Sequence, residues 1–216
     1  MLRVGLTGGT ACGKSTVLAM FRVKPDVRVI DADAIVHALY QPGTAVHRMV
    51  KERYGNEVLA GDGSIDRAKL GDIVFATPAE MRALEEIVHP AVEVEQERTM
   101  DALEKTLPHG IALVEATKML EAGTYKKYGH VLLVVCSPEE QLKRFCERHP
   151  KLTPEQAEAE LARRSRMQFS DVKRRSLVPT AWVIDNSGSR KETWAQVEGI
   201  YRALRDEAES SADASN

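Results

Sequence analysis

The hydrophobic residues of this chain follow two alternating patterns. Short apolar runs are typical of buried strands, and longer stretches whose apolar residues recur every three or four positions are typical of helices. This alternation predicts an α/β fold, in which a parallel five-stranded sheet has helices on both faces. Ligands of such sheets bind beyond the carboxyl ends of the strands. The predicted strands are Leu2–Thr7, Val27–Asp31, Ile111–Glu115, His130–Cys136 and Ala181–Asp185, and the predicted helices include Lys14–Phe21, Ala79–Val88, Pro138–Arg148, Pro154–Met167 and Thr193–Leu204.

Three segments interrupt the alternation and divide the chain. Residues 33–107 are mostly helical, with a turn signal at His89-Pro90, and predict a helical subdomain inserted between the second and third strands. Residues 138–177 are helical and basic, and we expect them to form a lid. The tail at 206–216 is acidic and rich in small residues, which predicts disorder. The remaining residues, 1–32, 108–137 and 178–205, make up the predicted core.

Charge is unevenly distributed, although the 216 residues carry a net charge of only −2. The balance of 30 Lys and Arg against 32 Asp and Glu excludes a protein whose whole surface is built to bind nucleic acid. Between Lys143 and Arg175, ten basic residues face five acidic ones, so this stretch carries +5 and the rest of the chain −7. A basic segment against an acidic remainder favours a small polyphosphate ligand.

The cysteines and the lengths of the apolar runs indicate the cellular compartment in which the protein is expected. Cys12, Cys136 and Cys146 form no C-x-x-C pair and are odd in number, which favours a reducing compartment. The first residues lack the long apolar stretch of a secretory leader, and no run approaches the roughly 18 apolar residues of a membrane span. We therefore expect a cytoplasmic protein with no membrane partner.

One motif carries most of the chemistry. The run from Gly8 to Ser15 satisfies G-x-x-x-x-G-K-[ST], the P-loop, and it lies between a predicted strand and a predicted helix. Its glycines let successive backbone N–H groups point at phosphate oxygens, and the helix adds the positive end of its dipole. Lys14 supplies a charge to the β- and γ-phosphates, and the Ser15 hydroxyl is a ligand for Mg²⁺. The residues expected to bind the nucleotide are Gly9, Thr10, Ala11, Cys12, Gly13, Lys14, Ser15 and Thr16.

The absence of certain motifs excludes several classes of protein that bind nucleoside triphosphates. The chain has no N-K-x-D sequence to read guanine and no L-S-G-G-Q signature of transporter ATPases, and it is too short for paired helicase motors. A small phosphotransferase remains, in which the helical insertion holds an acceptor and the basic lid closes over the phosphates.

Two acids follow predicted strands. Asp33, in the run Asp31-Ala32-Asp33, is a candidate for the base that accepts a proton from an acceptor hydroxyl, and the alternative is that Asp31 or Asp33 caps the next helix. Glu115 ends the third strand and is a candidate Mg²⁺ ligand; the alternative is an exposed acid at a strand end.

The chain resembles the dephospho-CoA kinase family, in family order, over roughly residues 2–190. The resemblance implies ATP-dependent phosphorylation of the 3′-hydroxyl of dephospho-CoA, with Asp33 as the base and Ala11 to Thr16 as the ATP loop. It also implies that Arg144, with Arg148 one turn on, reaches the phosphates from the lid, unless these are solvated charges. The matching pieces are Leu6-Thr7-Gly8-Gly9, Gly13-Lys14-Ser15-Thr16, Val29-Ile30-Asp31-Ala32-Asp33, Pro42-Gly43, Ile65-Asp66-Arg67, His89-Pro90, the run from Ser137 to Arg144, Gln168, and Val183-Ile184-Asp185-Asn186-Ser187-Gly188.

The acceptor is expected among the helices that carry Asp33, Arg67 and His89, although His89 is also explained as a structural residue beside the turn at Pro90. Lys118 and Met119 replace the apolar pair that is usual in the family near this site. The partners expected are ATP and dephospho-CoA, with no nucleic acid, for a monomer or weak homo-oligomer. Two alternatives stay open: another small-molecule or nucleoside monophosphate kinase, and a nucleotide-dependent module that binds RNA through residues 143–175.

Overall fold

A parallel sheet forms the centre of the larger of two compact units. The computed structural model describes residues 1–177 and 182–213. Within them the strands are β1 (Leu2–Gly8), β2 (Val27–Asp31), β3 (Ile111–Glu115), β4 (His130–Val135) and β5 (Trp182–Asp185), in the order β2-β3-β1-β4-β5. This confirms the predicted five-stranded α/β fold. Ala181, predicted to begin the fifth strand, lies outside the described residues.

Strand β1 is the central strand of the sheet, and its place there indicates where ligands bind. It pairs in parallel with β3, where Leu6 lies opposite Glu115, and with β4, where Gly8 lies opposite Val134. A Cβ on Gly8 would lie 2.3 Å from the carbonyl oxygen of Val134, so the close approach of the two strands requires glycine there. The chain leaves β1 toward β2 on one side and later returns to β4 on the other, and ligands of open α/β sheets bind at such a switch point.

The helices include one at each of the five predicted stretches, and several begin with a side-chain cap. They are α1 (Lys14–Arg22), α2 (Ala32–Leu39), α3 (Ala45–Tyr54), α4 (Arg67–Val74), α5 (Pro78–Thr106), α6 (Pro138–Arg148), α7 (Pro154–Ser165), α8 (Asp171–Leu177) and α9 (Arg190–Asp213). Ser137 caps α6 by accepting the N–H of Glu140, and Thr153 forms a capping box with Gln156 at the start of α7. In the described part of the chain, no helix is long and apolar enough to cross a membrane.

The chain divides by its internal contacts into two units. The sheet unit comprises Met1–Ile30 and Leu103–Asn216, and the helical unit comprises Asp31–Ala102. The sheet unit is built on fully buried side chains of β1, β3 and β4 packed with α1 and α9. The helical unit has an apolar core of its own, made of Tyr40, Val46, Val50, Tyr54, Val58, Ile65, Leu70, Val74 and Val88.

The turn predicted at His89-Pro90 is wrong, because α5 runs through Pro90 from Pro78 to Thr106. Proline inside a helix removes one backbone hydrogen bond and costs about 3 kcal/mol. The neighbouring Val88 is buried in the core of the helical unit, and Ala91 and Val92 pack against that core. Burial of apolar side chains contributes about 1.5–3 kcal/mol each, which offsets the cost of the proline.

The prediction of disorder from residue 206 is also wrong as far as Asp213, because α9 continues to that residue. Ala208 is buried, and Arg205 Nε lies 2.8 Å from Glu209 Oε1 one turn on. Packing of the small residue and the pair at i and i+4 stabilise a helix whose composition alone suggested a tail. The last three residues, 214–216, lie outside the described part.

Candidate nucleotide-binding site

The P-loop forms where it was expected, between the end of β1 at Gly8 and the start of α1 at Lys14. Gly13 has a φ of 88°, in the left-handed region that glycine adopts without strain. Ala11 has a φ of 59°, and it is the one non-glycine residue with positive φ among the residues described. Its methyl group is buried with Phe145 of α6 and with Ala157 and Leu161 of α7, so packing holds the loop in this conformation.

Lys14 lies over the entrance of the loop. Its Nζ donates to the carbonyl oxygens of Gly8 at 3.1 Å and Gly9 at 3.4 Å. Ser15 follows in the first turn of α1 with an exposed side chain, and Thr16 is half-buried. The predicted contacts of Lys14 and Ser15 with phosphate and Mg²⁺ stay predictions.

Two oxygen donors suit a magnesium ion at this edge of the sheet. Glu115 ends β3 beside the P-loop strand, with a half-buried side chain, and Ser15 has its hydroxyl exposed. Among the described residues, no three His, Cys, Asp or Glu side chains group together as a metal cage. Mg²⁺ commonly takes one or two protein oxygens and completes its shell with water and phosphate, so this donor set fits Mg²⁺ bound with a nucleotide.

The backbone of Thr10 is held from both sides by glutamines of the predicted lid. Gln141 Nε2 donates to the Thr10 carbonyl at 2.6 Å, and the Thr10 N–H donates to Gln168 Oε1 at 3.2 Å. Gln168 Oε1 also accepts from Arg174 at 3.1 Å. In the sequence both glutamines stand out only as parts of family motifs, and no local pattern predicts their contact with Thr10.

Arg174 is a buried cation that the sequence analysis counted only as part of the basic segment. Its side chain is 3% exposed, and it lies 2.9 Å from Asp171 Oδ1 and 3.7 Å from Glu121 Oε1. Among the described residues, buried Arg174 Nε and Glu121 Oε2 have no hydrogen-bond partner. The arginine borders a cavity of about 500 Å³ next to the P-loop, whose lining includes Gly9, Gln141, Arg166, Gln168, Phe169 and Arg174.

Arg144 contacts the protein backbone around the loop. It donates to the carbonyl of Asn186 at 2.7 Å and to that of Cys12 at 3.4 Å, and it pairs with Glu140 at 3.4 Å. Its side chain is 20% exposed. Arg148, one turn on, is exposed at the end of α6. The predicted contact of these arginines with phosphates stays a prediction.

The thiol of Cys12 lies inside the loop. The side chain is buried, and Gln141 Nε2 is 3.8 Å from its sulfur. A hydrogen bond from the Cys136 thiol, aided by the charges of Lys14 and Arg174, lowers the pKa of Cys12, although burial opposes the shift. The same bond and burial raise the pKa of Cys136.

The predicted acceptor residues lie on three helices of the helical unit. Asp33 is exposed in the first turn of α2, and the cap of that helix is Asp31, whose carboxylate accepts the Ala34 N–H at 3.0 Å. Arg67 is exposed at the start of α4, and its charge partly opposes the effect of burial, which raises the pKa of Tyr40. His89 is exposed within α5, so it lies in a continuous helix and not beside a turn, and its part in acceptor binding stays a prediction.

Comparison with known proteins gives consistent matches. A family model described as dephospho-CoA kinase matches residues 2–192. A dephospho-CoA kinase from Symbiobacterium thermophilum is 42% identical over 200 residues, which cover 93% of this chain and 80% of the relative. One from Aquifex aeolicus is 40% identical over 205 residues, covering 94% and 98%. A crystal structure of a Thermus thermophilus protein has a TM-score of 0.78 at 29% identity, and the match covers 94% of this chain and 96% of that one.

Proposed function

Because the chain belongs to the dephospho-CoA kinase family, we propose that it transfers the γ-phosphoryl group of ATP to the ribose 3′-hydroxyl of dephospho-CoA, giving coenzyme A and ADP. The observation that carries the proposal is the match of the family model to residues 2–192, which include the whole helical unit and most of the sheet unit. The P-loop between β1 and α1 supports the same conclusion, because its backbone has the left-handed turn at Gly13 that such loops need.

We assign ATP to the loop residues Gly9 to Thr16. Backbone N–H groups of the loop and the first turn of α1 would bind the phosphate oxygens, and Lys14 would leave the carbonyls of Gly8 and Gly9 to bind the β- and γ-phosphates. The exchange replaces two neutral acceptors by anionic ones, which adds the attraction between opposite charges. Lys14 thereby neutralises charge on the group in transfer.

Ser15 and Glu115 would hold Mg²⁺, which supplies positive charge at the β- and γ-phosphates. The serine hydroxyl is exposed at the start of α1, and Glu115 ends the strand next to β1. Carboxylate and hydroxyl oxygens suit a hard cation that keeps several of its waters.

Asp33 would accept the proton of the 3′-hydroxyl. Its carboxylate is exposed, and the capping role belongs to Asp31, so the two acids of the Asp-Ala-Asp run have separate tasks. A base within hydrogen-bond reach of an acceptor hydroxyl raises the rate of phosphoryl transfer by about 10²–10⁴-fold. Arg67 and His89 would contact the anionic acceptor, and Arg67 would contribute a positive charge.

Residues 138–177 would act as a lid over the nucleotide, with Arg144 and Arg148 near the phosphates. Closure of such a segment excludes water, which would otherwise hydrolyse the triphosphate. We further propose that the protein acts in the cytoplasm as a monomer or weak homo-oligomer and has no nucleic-acid partner. All three cysteines lie within the described residues and none is in a disulfide, which supports a reducing compartment.

The test is an ADP-release assay with Mg-ATP and one acceptor at a time: dephospho-CoA, AMP, CMP or adenosine. We expect stimulation by dephospho-CoA alone, and a product whose mass is greater by one phosphoryl group and whose phosphorus spectrum shows a new 3′-monoester. Stimulation by AMP or CMP in place of dephospho-CoA would support a nucleoside monophosphate kinase. No stimulation by any of the four would refute the proposal.

A further inference from the structure

We infer that Asn186 is a positioning residue for ATP: it orients the peptide bond between Cys12 and Gly13 so that the loop presents an N–H group to the phosphates. The inference rests on the proposed binding of ATP in the P-loop and deepens it. Asn186 directly follows β5 and was quoted above as part of the Val-Ile-Asp-Asn motif, to which no task was assigned.

The polar groups of Asn186 all have partners. Its backbone N–H donates to the carbonyl of Val135 at 2.8 Å, at the end of β4, and its own carbonyl accepts from Arg144 at 2.7 Å. In the side chain, Nδ2 donates to the carbonyl of Cys12 at 2.9 Å, and Oδ1 accepts from the hydroxyl of Thr193 at 2.9 Å. Asn186 is 4% exposed and Thr193 0%, so this network has little access to water.

The hydrogen bond to Cys12 determines where the next N–H points. In a trans peptide the carbonyl of one residue and the N–H of the following residue point in opposite directions. Since Asn186 Nδ2 and Arg144 hold the Cys12 carbonyl, the Gly13 N–H is aimed away from them. In a P-loop the backbone N–H groups that are turned inward bind the phosphate oxygens. A reversed peptide would instead present a carbonyl oxygen to a polyanion.

Gly13 and Asn186 fit each other closely. A Cβ on Gly13 would lie 2.0 Å from Asn186 Nδ2, and Gly13 has a φ of 88°. The left-handed turn brings the loop backbone against the amide, and no larger residue would leave room for it. The Cys12 carbonyl can only accept, so it requires the Nδ2 end of the amide at the loop, and Thr193, in the first turns of α9, completes the arrangement by donating its hydroxyl to Oδ1.

The decisive variants are Asn186→Asp and Asn186→Ala. The aspartate has nearly the same shape but turns a donor into an acceptor that faces the Cys12 carbonyl, and the alanine removes the donor. Loss of one partner of a buried hydrogen bond corresponds to roughly a 5- to 100-fold change in an equilibrium constant. We expect ATP to bind N186A weaker by a factor in this range and N186D weaker still. Asp185→Asn is the matched control, because Asp185 bonds to Ser187 in the exposed part of the same turn.

Calorimetric titration with ATP and steady-state kinetics give the readouts. A positioning role predicts a higher Kd and KM for ATP, an unchanged KM for dephospho-CoA, and wild-type values for D185N. Thr193→Val should weaken ATP binding and Thr193→Ser should restore it, because serine retains the hydroxyl. These two variants decide the question if N186D does not fold.

Wild-type affinity for ATP in both N186A and T193V would overturn the inference. An equal rise of KM for both substrates together with a lower melting temperature would also overturn it, since that result indicates general destabilisation. Because ATP affinity is measured directly, the inference is tested even if dephospho-CoA is not the acceptor. A wild-type protein that binds ATP but does not turn over dephospho-CoA would refute the proposed function alone, whereas one that binds no ATP would refute both.

Discussion

Replacing Arg174 by methionine removes a buried cation from between two carboxylates. In the wild type, the Arg174 guanidinium is 3% exposed and lies 2.9 Å from Asp171 and 3.7 Å from Glu121. Glu121 is itself 15% exposed, and within residues 1–177 and 182–213 its Oε2 has no hydrogen-bond partner. In this part of the chain, loss of the arginine leaves a buried charge that accepts one hydrogen bond, from the Phe169 N–H at 2.7 Å. Methionine fills much of the volume of the arginine stem, which separates the charge effect from a cavity.

The magnitude follows from the cost of an unpaired buried charge. Removal of one partner of a buried ion pair costs about 3–5 kcal/mol. We take the lower end, about 3 kcal/mol, because Asp171 is 42% exposed and regains water. For a chain of this size each kcal/mol lowers the melting temperature by about 2–4 °C, so R174M should melt about 6–12 °C below the wild type.

Thermal melts followed by far-UV circular dichroism at pH 7 measure this difference. The double variant R174M/E121Q removes both charges and should recover most of the loss, because the two residues are in contact and their effects are not additive. Arg175→Met is the control, since Arg175 is exposed on the same helix and its loss should change stability by less than about 0.5 kcal/mol. Equal melting temperatures for R174M and the double variant would refute the reasoning.

Three further predictions follow from single contacts. Asp33→Asn should lower kcat by about 10²–10⁴-fold and leave the KM for ATP and the melting temperature unchanged. Asp31→Ala should instead lower the free energy of unfolding by about 1 kcal/mol, because the cap of α2 is lost. An equal drop in melting temperature for both variants would contradict the assignment of catalysis to Asp33 and capping to Asp31. Gly13→Ala should weaken ATP binding at least about 10-fold in calorimetry. The new Cβ would lie 2.0 Å from Asn186 Nδ2, and the left-handed backbone adds roughly 1–2 kcal/mol of strain. Gly123→Ala is the control, because Gly123 has a φ of 72° but nothing within 4 Å of its Cβ position, so this variant has the strain alone and should bind ATP normally. Hydrogen bonds from Arg163 and Arg164 hold the pKa of Glu160 at about 2, below its ordinary value of 4.5, so the ionised carboxylate stabilises the fold above pH 4.5 and this stabilisation is lost as the pH falls toward 2. Glu160→Gln should therefore have a lower melting temperature than the wild type at pH 7 and the same melting temperature near pH 2. A difference in melting temperature that stays constant with pH would contradict this prediction.

The features that depend on a few neighbouring residues could be predicted from the sequence. Strands β2 and β3 have the predicted bounds. In β3 the four buried apolar residues before Glu115 are the pattern expected of a strand inside a parallel sheet, and in the edge strand β2 the apolar residues Val27, Val29 and Ile30 are enough to mark it. The P-loop was predictable because its motif is continuous in the sequence from Gly8 to Ser15, and the positive φ at Gly13 is a local requirement for glycine. A local signal gave a wrong prediction at Pro90, because proline predicts a turn. The apolar residues on either side of Pro90 bury enough surface to keep the helix continuous.

The contacts that shape the candidate site join distant parts of the chain, and no local pattern reports them. Asn186 and Cys12 are 174 residues apart, and Gln168 and Thr10 are 158 apart. A count of charges between Lys143 and Arg175 gives the same weight to every arginine, yet Arg174 is buried and Arg175 is exposed. That difference arises because Glu121, from the loop after β3, lies beside Arg174, and a buried arginine is tolerated only where acids from other elements pair with it. A basic segment in a sequence therefore combines two kinds of residue, solvated charges and cations that hold the fold around the P-loop. Only the tertiary contacts distinguish them, and so the predicted role of the lid arginines has to be tested residue by residue.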